Sequence, residues 1–228
     1  MNKSLSYIYL LMVAVLLGTA TSSCHRKPTP GDSYDIKVMK PSPRDTVHTE
    51  EARPIPEFHS VFIYDADTIH VKISPEYAID VTGPHSYVKS HQSVVRNTNL
   101  YVKYDNRDTH YRRTSVHVSL PVLNCLQIRG CNVLIVDGAD VDSHNMLVDL
   151  QNVEKIRFAS PLHAMSIRLM LADCGPAHFS AYCRDFIASF QNSPGVSISG
   201  KVASLRFDGG KREDADISRL TAGQIINK

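Results

Sequence analysis

The chain has 228 residues, of which 43% are hydrophobic and 21% charged, and its formal net charge is +2. That composition excludes a wholly disordered chain. The charges are spread out rather than gathered into the basic face that releases counterions from nucleic acid, so no nucleic-acid partner is expected. Trp is absent and aromatics make up only 7%, which argues against aromatic stacking platforms for sugars or single strands.

Residues 1–23 have the layout of a targeting segment. Lys3 supplies a positive start, and Tyr7 to Ala20 an apolar run shorter than the ~20 residues of a spanning helix. Thr19, Ala20, Thr21, Ser22 and Ser23 are small, and Cys24 follows. The arrangement resembles a bacterial lipoprotein lipobox, departing from it at Thr21, where Leu is usual. The resemblance implies a diacylglycerol thioether on Cys24 and a membrane-tethered protein. Ordinary cleavage near Ala20 or Ser23 is the alternative. The expected address is the cell envelope, as an outer-membrane lipoprotein on the periplasmic face or the cell surface. His25-Arg26-Lys27 lack an acidic export signal, which leans toward the periplasmic face.

Residues 24–57 are expected to form a tether. Pro28, Pro30, Pro41, Pro43, Pro54 and Pro56 fall here, and proline disfavours both helix and ladder.

From Phe58 the pattern changes to short alternating runs: Val61/Ile63, Ile69/Val71/Ile73, Ile79/Val81, Val94/Val95, Leu100/Val102/Tyr104 and Val116/Val118/Leu120. Turn residues separate them: Asp65-Ala66-Asp67, Ser74-Pro75, Gly83-Pro84, Asn97-Thr98-Asn99 and Asp105-Asn106. Period-2 alternation rich in β-branched residues predicts strands with one buried face. No helical stripe of twelve or more residues interrupts them, so the class is all-β. A sandwich or barrel rivals other all-β folds for this stretch taken alone.

After Leu120 two offset series of apolar clusters recur. One is Leu126/Ile128, Met146/Val148, Ile167/Leu169, Ile187/Phe190 and Leu205/Phe207. The other is Val133/Ile135, Ile156/Phe158, Phe179/Ala181, Val196/Ile198 and Ile217/Leu220. The spacing of roughly 20 residues is a solenoid period. A short strand cannot bury its face alone, and stacked copies build one continuous core. The expected fold for residues 58–228 is a right-handed parallel β-helix.

Several blocks carry a family resemblance. They are Ala66-Asp67-Thr68-Ile69-His70-Val71-Lys72-Ile73, then Asn99-Leu100-Tyr101-Val102, then Val116 to Leu126 with its Leu120-Pro121-Val122-Leu123, and the turns Ser199-Gly200 and Asp208-Gly209. Together they resemble the head-GIN domain family of adhesin-like lipoproteins from Bacteroidetes-type bacteria. The resemblance spans roughly Phe58 to Ala222 and implies a right-handed β-helical fold with no catalytic residues to carry over. The family's repeated Ser-Gly-Ser-Gly turns are eroded here.

Candidate chemistry is sparse. Cys125, Cys131, Cys174 and Cys183 remain in the folded part. Export permits disulfides, and four cysteines allow three pairings, so pairing and buried thiols both stay open. Their spacing fits no common zinc knuckle. The eleven histidines are scattered, and no metal or cofactor is expected. Asp137-Gly138-Ala139-Asp140-Val141-Asp142 is the densest carboxylate run, but it matches no calcium loop and is expected to be a turn. Tyr101, Lys103, Tyr104, Arg107, His110, Tyr111, Arg112 and Arg113 form a basic-aromatic cluster suited to an anionic glycan or phosphate group. At an offset of about 20, Asp149 meets Arg129 rather than a second carboxylate, so no general acid–base pair is expected. The function expected is a non-catalytic binding or structural module, anchored to the membrane, with a glycan or an envelope protein as partner. The alternatives are a glycan-active β-helix lyase or hydrolase, and an envelope assembly accessory.

Overall fold

A computed structural model of the chain describes residues 48–52, 55–104, 114–138, 141–209 and 212–227. Twelve strands account for most of them: β1 His48–Ala52, β2 Ser60–Ile73, β3 Ala78–Pro84, β4 His91–Arg96, β5 Asn99–Tyr104, β6 Ser115–Leu120, β7 Cys125–Gly138, β8 Val141–Phe158, β9 Leu162–Ala172, β10 Ala177–Gln191, β11 Val196–Phe207 and β12 Ala215–Asn227. The helical pieces are α1, His85–Ser90, and a 3-10 turn at Arg212–Asp214. The chain is all-β, as its alternation predicts, and Phe58–Leu120 belongs to the same sheet as the rest.

Strands β7 to β12 are neighbours in chain order, every pair parallel. Cys125 lies beside Leu147, Leu147 beside Arg168, Arg168 beside Ile187 and Ile187 beside Arg206, steps of 22, 21, 19 and 19 residues. Inward side chains therefore stack on their equivalents. One row runs Leu100, Val61, Leu126, Val148, Leu169, Ala188 and Phe207. A second runs Val102, Ile63, Ile128, Leu150, Leu171 and Phe190. All of these are buried. Burying a large aliphatic or aromatic side chain contributes about 1.5–3 kcal/mol, and each layer adds two or three.

The first layers are not laid down in chain order. Strand β2 sits between β7 on one side and β5 with β6 on the other. The chain builds β2, returns through β3 and β4, adds β5 and β6 beneath it, and only then crosses through Pro121 to Asn124 to place β7 above. At this end β3 runs antiparallel to β6, β1 antiparallel to β3, and β4 antiparallel to β5.

A left-handed corner recurs in five successive layers, within β2, β7 and β8 and just after β9 and β10. Asp65, Gly130, Asn152, Asp173 and Asn192 have φ of 59°, 75°, 54°, 53° and 49°. The flanking registers place these five left-handed residues one above another. An ordinary L-residue there costs roughly 1–2 kcal/mol, whereas Gly, Asn and Asp tolerate it. At Gly130 a Cβ would stand 2.8 Å from Asp65 Oδ1. The corner makes the residues just before and after it both face inward, as with Leu150 and Val153 or Leu171 and Cys174. The expected inward pairs Val133/Ile135 and Ile187/Phe190 are corrected by the observed alternation. Leu134 and Val136 are the buried pair after Gly130, and Phe186, Ala188 and Phe190 the buried set in β10, while Val133, Ile135 and Ile187 face outward.

Asp173→Val is expected to lower unfolding free energy by about 1–2 kcal/mol, with Asp173→Gly costing much less, as read from urea denaturation. Equal losses for the two would contradict a left-handed corner.

Candidate functional site

Outward positions form rows as regular as the inward ones. Tyr101 lies beside Phe62, Phe62 beside Gln127, and Gln127 beside Asp149. The next outward row is Lys103, Tyr64, Arg129 and Gln151. These side chains face out because Leu100, Val102, Val61, Ile63, Leu126 and Ile128 between them face in. The Phe62 and Tyr101 rings stack with centroids 4.8 Å apart and planes 18° from parallel. Strand β4 extends the surface by placing Val94 beside Tyr101 and Gln92 beside Lys103.

Next to the stacked rings is a closed polar triad. Arg129 donates to both oxygens of Asp149, at 2.9 Å from Nη1 to Oδ1 and 2.5 Å from Nη2 to Oδ2. Gln127 Nε2 donates to the same Oδ2 at 3.1 Å. A bidentate guanidinium–carboxylate pair holds a fixed geometry. Its net charge is zero, and both carboxylate oxygens are already engaged. What it presents is a rigid set of polar edges beside an aromatic surface.

The structure divides the sequence-predicted cluster. Tyr101 and Lys103 lie on this outer face. Tyr104 points inward, 5% exposed, against the rings of His91 at 5.2 Å and Tyr87 at 6.1 Å. Period-2 alternation separates 101 and 103 from 104. Arg107, His110, Tyr111, Arg112, Arg113 and the lipid-attachment residue Cys24 lie outside the described residues. Phe62, Tyr64, Gln127 and Arg129 were absent from the sequence-derived site, because the β2–β7 pairing joins segments far apart in the chain and outside the repeat. The Arg129–Asp149 contact is the one visible at an offset near 20. Its direct ladder partner is Gln151, and the long guanidinium arm reaches back to Asp149.

A second aromatic stack, unforeseen in the sequence, joins His163 and Tyr182 at 5.0 Å and 15°. Lys201 follows in the same row. Tyr182, Lys201, Ala203 and Gly223 line part of a shallow groove of about 450 Å³.

All four cysteines are thiols. Cys131 and Cys174 occupy the inward position just after the left-handed corner, where Ala66, Val153 and Ser193 stand in other layers. Val153 separates them in that column. Cys174 Sγ donates to the carbonyls of Ala172 and Leu150 at 3.3 and 3.4 Å. Cys125 and Cys183 are half-buried on other rows. Burial, and secondarily the charge of Asp149, pushes the Cys125 thiol up to about 11. Burial, with Asp185 next, does the same for Cys183, to about 11.

Asp137, from the carboxylate run, accepts a hydrogen bond from His70 Nε2 at 2.8 Å. Residues 139 and 140 of that run lie outside the described residues. Among the described residues, no group of three or more His, Cys, Asp or Glu side chains is placed to hold a metal ion. Nor does any described ladder set one Asp or Glu directly beside another.

No family model matches the chain, and no curated protein matches it. Solved structures do. One is a putative lipid binding protein from Parabacteroides distasonis ATCC 8503, 12% identical over 80% of this chain and 78% of that one, with a TM-score of 0.61. Others are a putative adhesin from Bacteroides fragilis NCTC 9343, 14% identical over 82% of this chain and 99% of that one at a TM-score of 0.43, and a putative adhesin from Parabacteroides distasonis ATCC 8503, 10% identical over 81% and 98% at 0.47. The likeness to the first is one of fold.

Raised thiol pKa values mean that Cys125 and Cys183 stay protonated at neutral pH, since the thiolate fraction grows only as pH approaches the pKa. Alkylation of both in the native protein should be slow at pH 7.5 and should accelerate about tenfold per pH unit up to about pH 11. Mass-spectrometric labelling showing a plateau below pH 9 would contradict this.

Proposed function

We propose that this chain is a lipid-anchored cell-envelope protein whose stacked layers form a right-handed β-helix, and that it acts as a non-catalytic, adhesin-like module binding glycan on the Tyr101–Phe62 face. The observation that carries this reading is the stacked aromatic pair set beside a polar triad whose charges are already matched. Sugars offer C–H faces to an aromatic ring and hydroxyls to amide, guanidinium and carboxylate edges, and both are present here at fixed spacing. Right-handedness is supported by the parallel ladders, because crossovers between parallel strands of one sheet are right-handed in the great majority of cases. The same fold follows from the resemblance to the head-GIN domain family.

The glycan-active enzyme is the competing reading. General acid–base cleavage needs two groups with separated proton affinities within a few ångströms of the bond. The carboxylate on this face has both oxygens engaged by Arg129 and Gln127. An envelope assembly accessory would use the same face for a protein. Anchoring rests on the leader, with its apolar run ending in small residues at Cys24.

The test uses the full chain in detergent on a glycan array, with a pull-down from envelope extract alongside. Glycan binding is expected, and Tyr101→Ala should weaken it at least tenfold while leaving the unfolding midpoint within a few degrees. Capture of a protein with no glycan bound would favour the accessory role. Turnover of a glycan, abolished by Asp149→Asn, would replace the binding reading with an enzyme. Cys24→Ser should lose lipid label and membrane retention together.

A further inference from the structure

Strand β12 ends the sheet. Among the described residues it pairs with β11 along one edge, and its other edge has no strand beside it. The opposite end of the stack is finished by antiparallel strands, whereas this end exposes the inner lip of the last layer. Ala215, Ile217, Leu220, Ala222 and Ile225 line an open dish of about 370 Å³. Ile225 is 39% exposed, while Leu205 beneath it is fully buried. A long edge with apolar side chains on its inner lip is a template for a further strand.

The spacing of those side chains specifies which strand. The apolar positions are symmetric about Thr221: Leu220 and Ala222 flank it by one residue, Ile217 and Ile225 by four. A two-fold axis at Thr221, perpendicular to the sheet edge, lays a second β12 antiparallel to the first. It sets Leu220 opposite Ala222 of the other copy and Ile217 opposite Ile225, all on the inner side. Residues directly opposite in an antiparallel pair share a face. Moving the axis by one residue, to Leu220, would keep Leu220 against its own copy and Ala215 against Ile225, but would set Ile217 against Gly223 and Ala222 against Ser218.

Charge agrees with that register. The strand's ionisable side chains are Asp216 and Arg219, which cancel. The axis at Thr221 places Arg219 opposite Gly223 and Asp216 opposite Ile226, so no charge meets its own sign. A register pairing Asp216 with Arg219 uses only residues 215 to 220 and sets Ile217 against Ser218. Near Asp216 the register with β11 shifts, and the Asp216 carboxylate accepts the Ser218 N–H at 2.9 Å, which holds that carboxyl below the usual carboxylate range. The ladder with β11 is interrupted between Asp216 and Arg219, so the new ladder centres on residues 219–223, with the Ile217–Ile225 pair at its margin.

We propose that a second copy of the chain adds here, β12 to β12, giving an end-to-end dimer whose two-fold passes through Thr221. Joining the open dishes buries the inner lip of both copies. It also closes the one long unpaired edge among the described strands.

Thr221 is exposed and points away from the dish, so it can be changed without touching the core. Sedimentation velocity of the full chain in detergent should show a concentration-dependent dimer. Thr221→Lys and Thr221→Asp should each weaken it at least tenfold, because like charges then meet on the axis. Mixing the two variants should restore it as a heterodimer. Thr221→Cys should cross-link to its own copy on mild oxidation, since paired antiparallel residues lie about 4.5–5.5 Å apart at Cα, within disulfide range. Gln224→Cys, displaced from the axis, should not. A wild-type monomer at every concentration overturns the proposal. So does a dimer unaffected by Thr221→Lys, or cross-linking of Gln224→Cys as readily as Thr221→Cys. Either of the last two would mean that a different surface joins the copies. A failed glycan array leaves these outcomes untouched, so the two readings fail separately.

Discussion

A left-handed residue at one corner of five successive layers is the constraint on which the rest depends. Asp65, Gly130, Asn152, Asp173 and Asn192 stand above one another with positive φ. They let the residues two before and one after both face inward, as with Ile63 and Ala66 or Ile128 and Cys131. With them, a strand turns and keeps the same interior on both flanks. The step between layers varies by up to three residues, yet the corner stays in line. The turns between strands absorb the differences.

Keeping the corner in line fixes the outer surface as firmly as the core. Once Leu126 and Ile128 are locked into their inward rows, Gln127 and Arg129 have one direction left. The same reasoning places Phe62, Tyr64, Tyr101 and Lys103 on one face, although they come from β2 and β5. Positions set by ladders rather than loops are precise and need no ligand to organise them. That is why the stacked ring pair and the bidentate Arg129–Asp149 contact of the proposed binding face are held at fixed spacing. The corner also explains two of the cysteines. Cys131 and Cys174 fill a column that elsewhere takes Ala66, Val153 and Ser193, so they serve as small buried residues, with Val153 between them in the stack.

The repeat after Leu120 was legible in the sequence because Leu126, Val148 and Leu169 recur at nearly constant spacing and all point inward. The corners were harder to see. Asp and Asn are common in surface turns, and nothing in the sequence distinguishes Asn152 inside β8 from a loop asparagine. Val133, Ile135 and Ile187 are apolar yet face outward, and apolar character alone does not separate them from Leu134, Val136 and Ala188. The place of β2 was illegible for another reason. Its partners, β5, β6 and β7, follow only after β3 and β4, so its pairing carries no periodic signature. Half of the candidate face was hidden with it, since Phe62 meets Gln127 only through that pairing. Tyr104 is the reverse case, because alternation alone separates it from Tyr101 and Lys103.

Core and surface both follow from the single-file parallel stack. Methyl-labelled NMR of the protein tests it directly. Val148 methyls should show contacts to Leu126 and Leu169, and Leu169 methyls to Val148 and Ala188, in the order the ladders dictate. Strong Hα–Hα contacts between β8 and β9, the mark of antiparallel pairing, or a Leu126–Leu169 contact without Val148 between them, would contradict it.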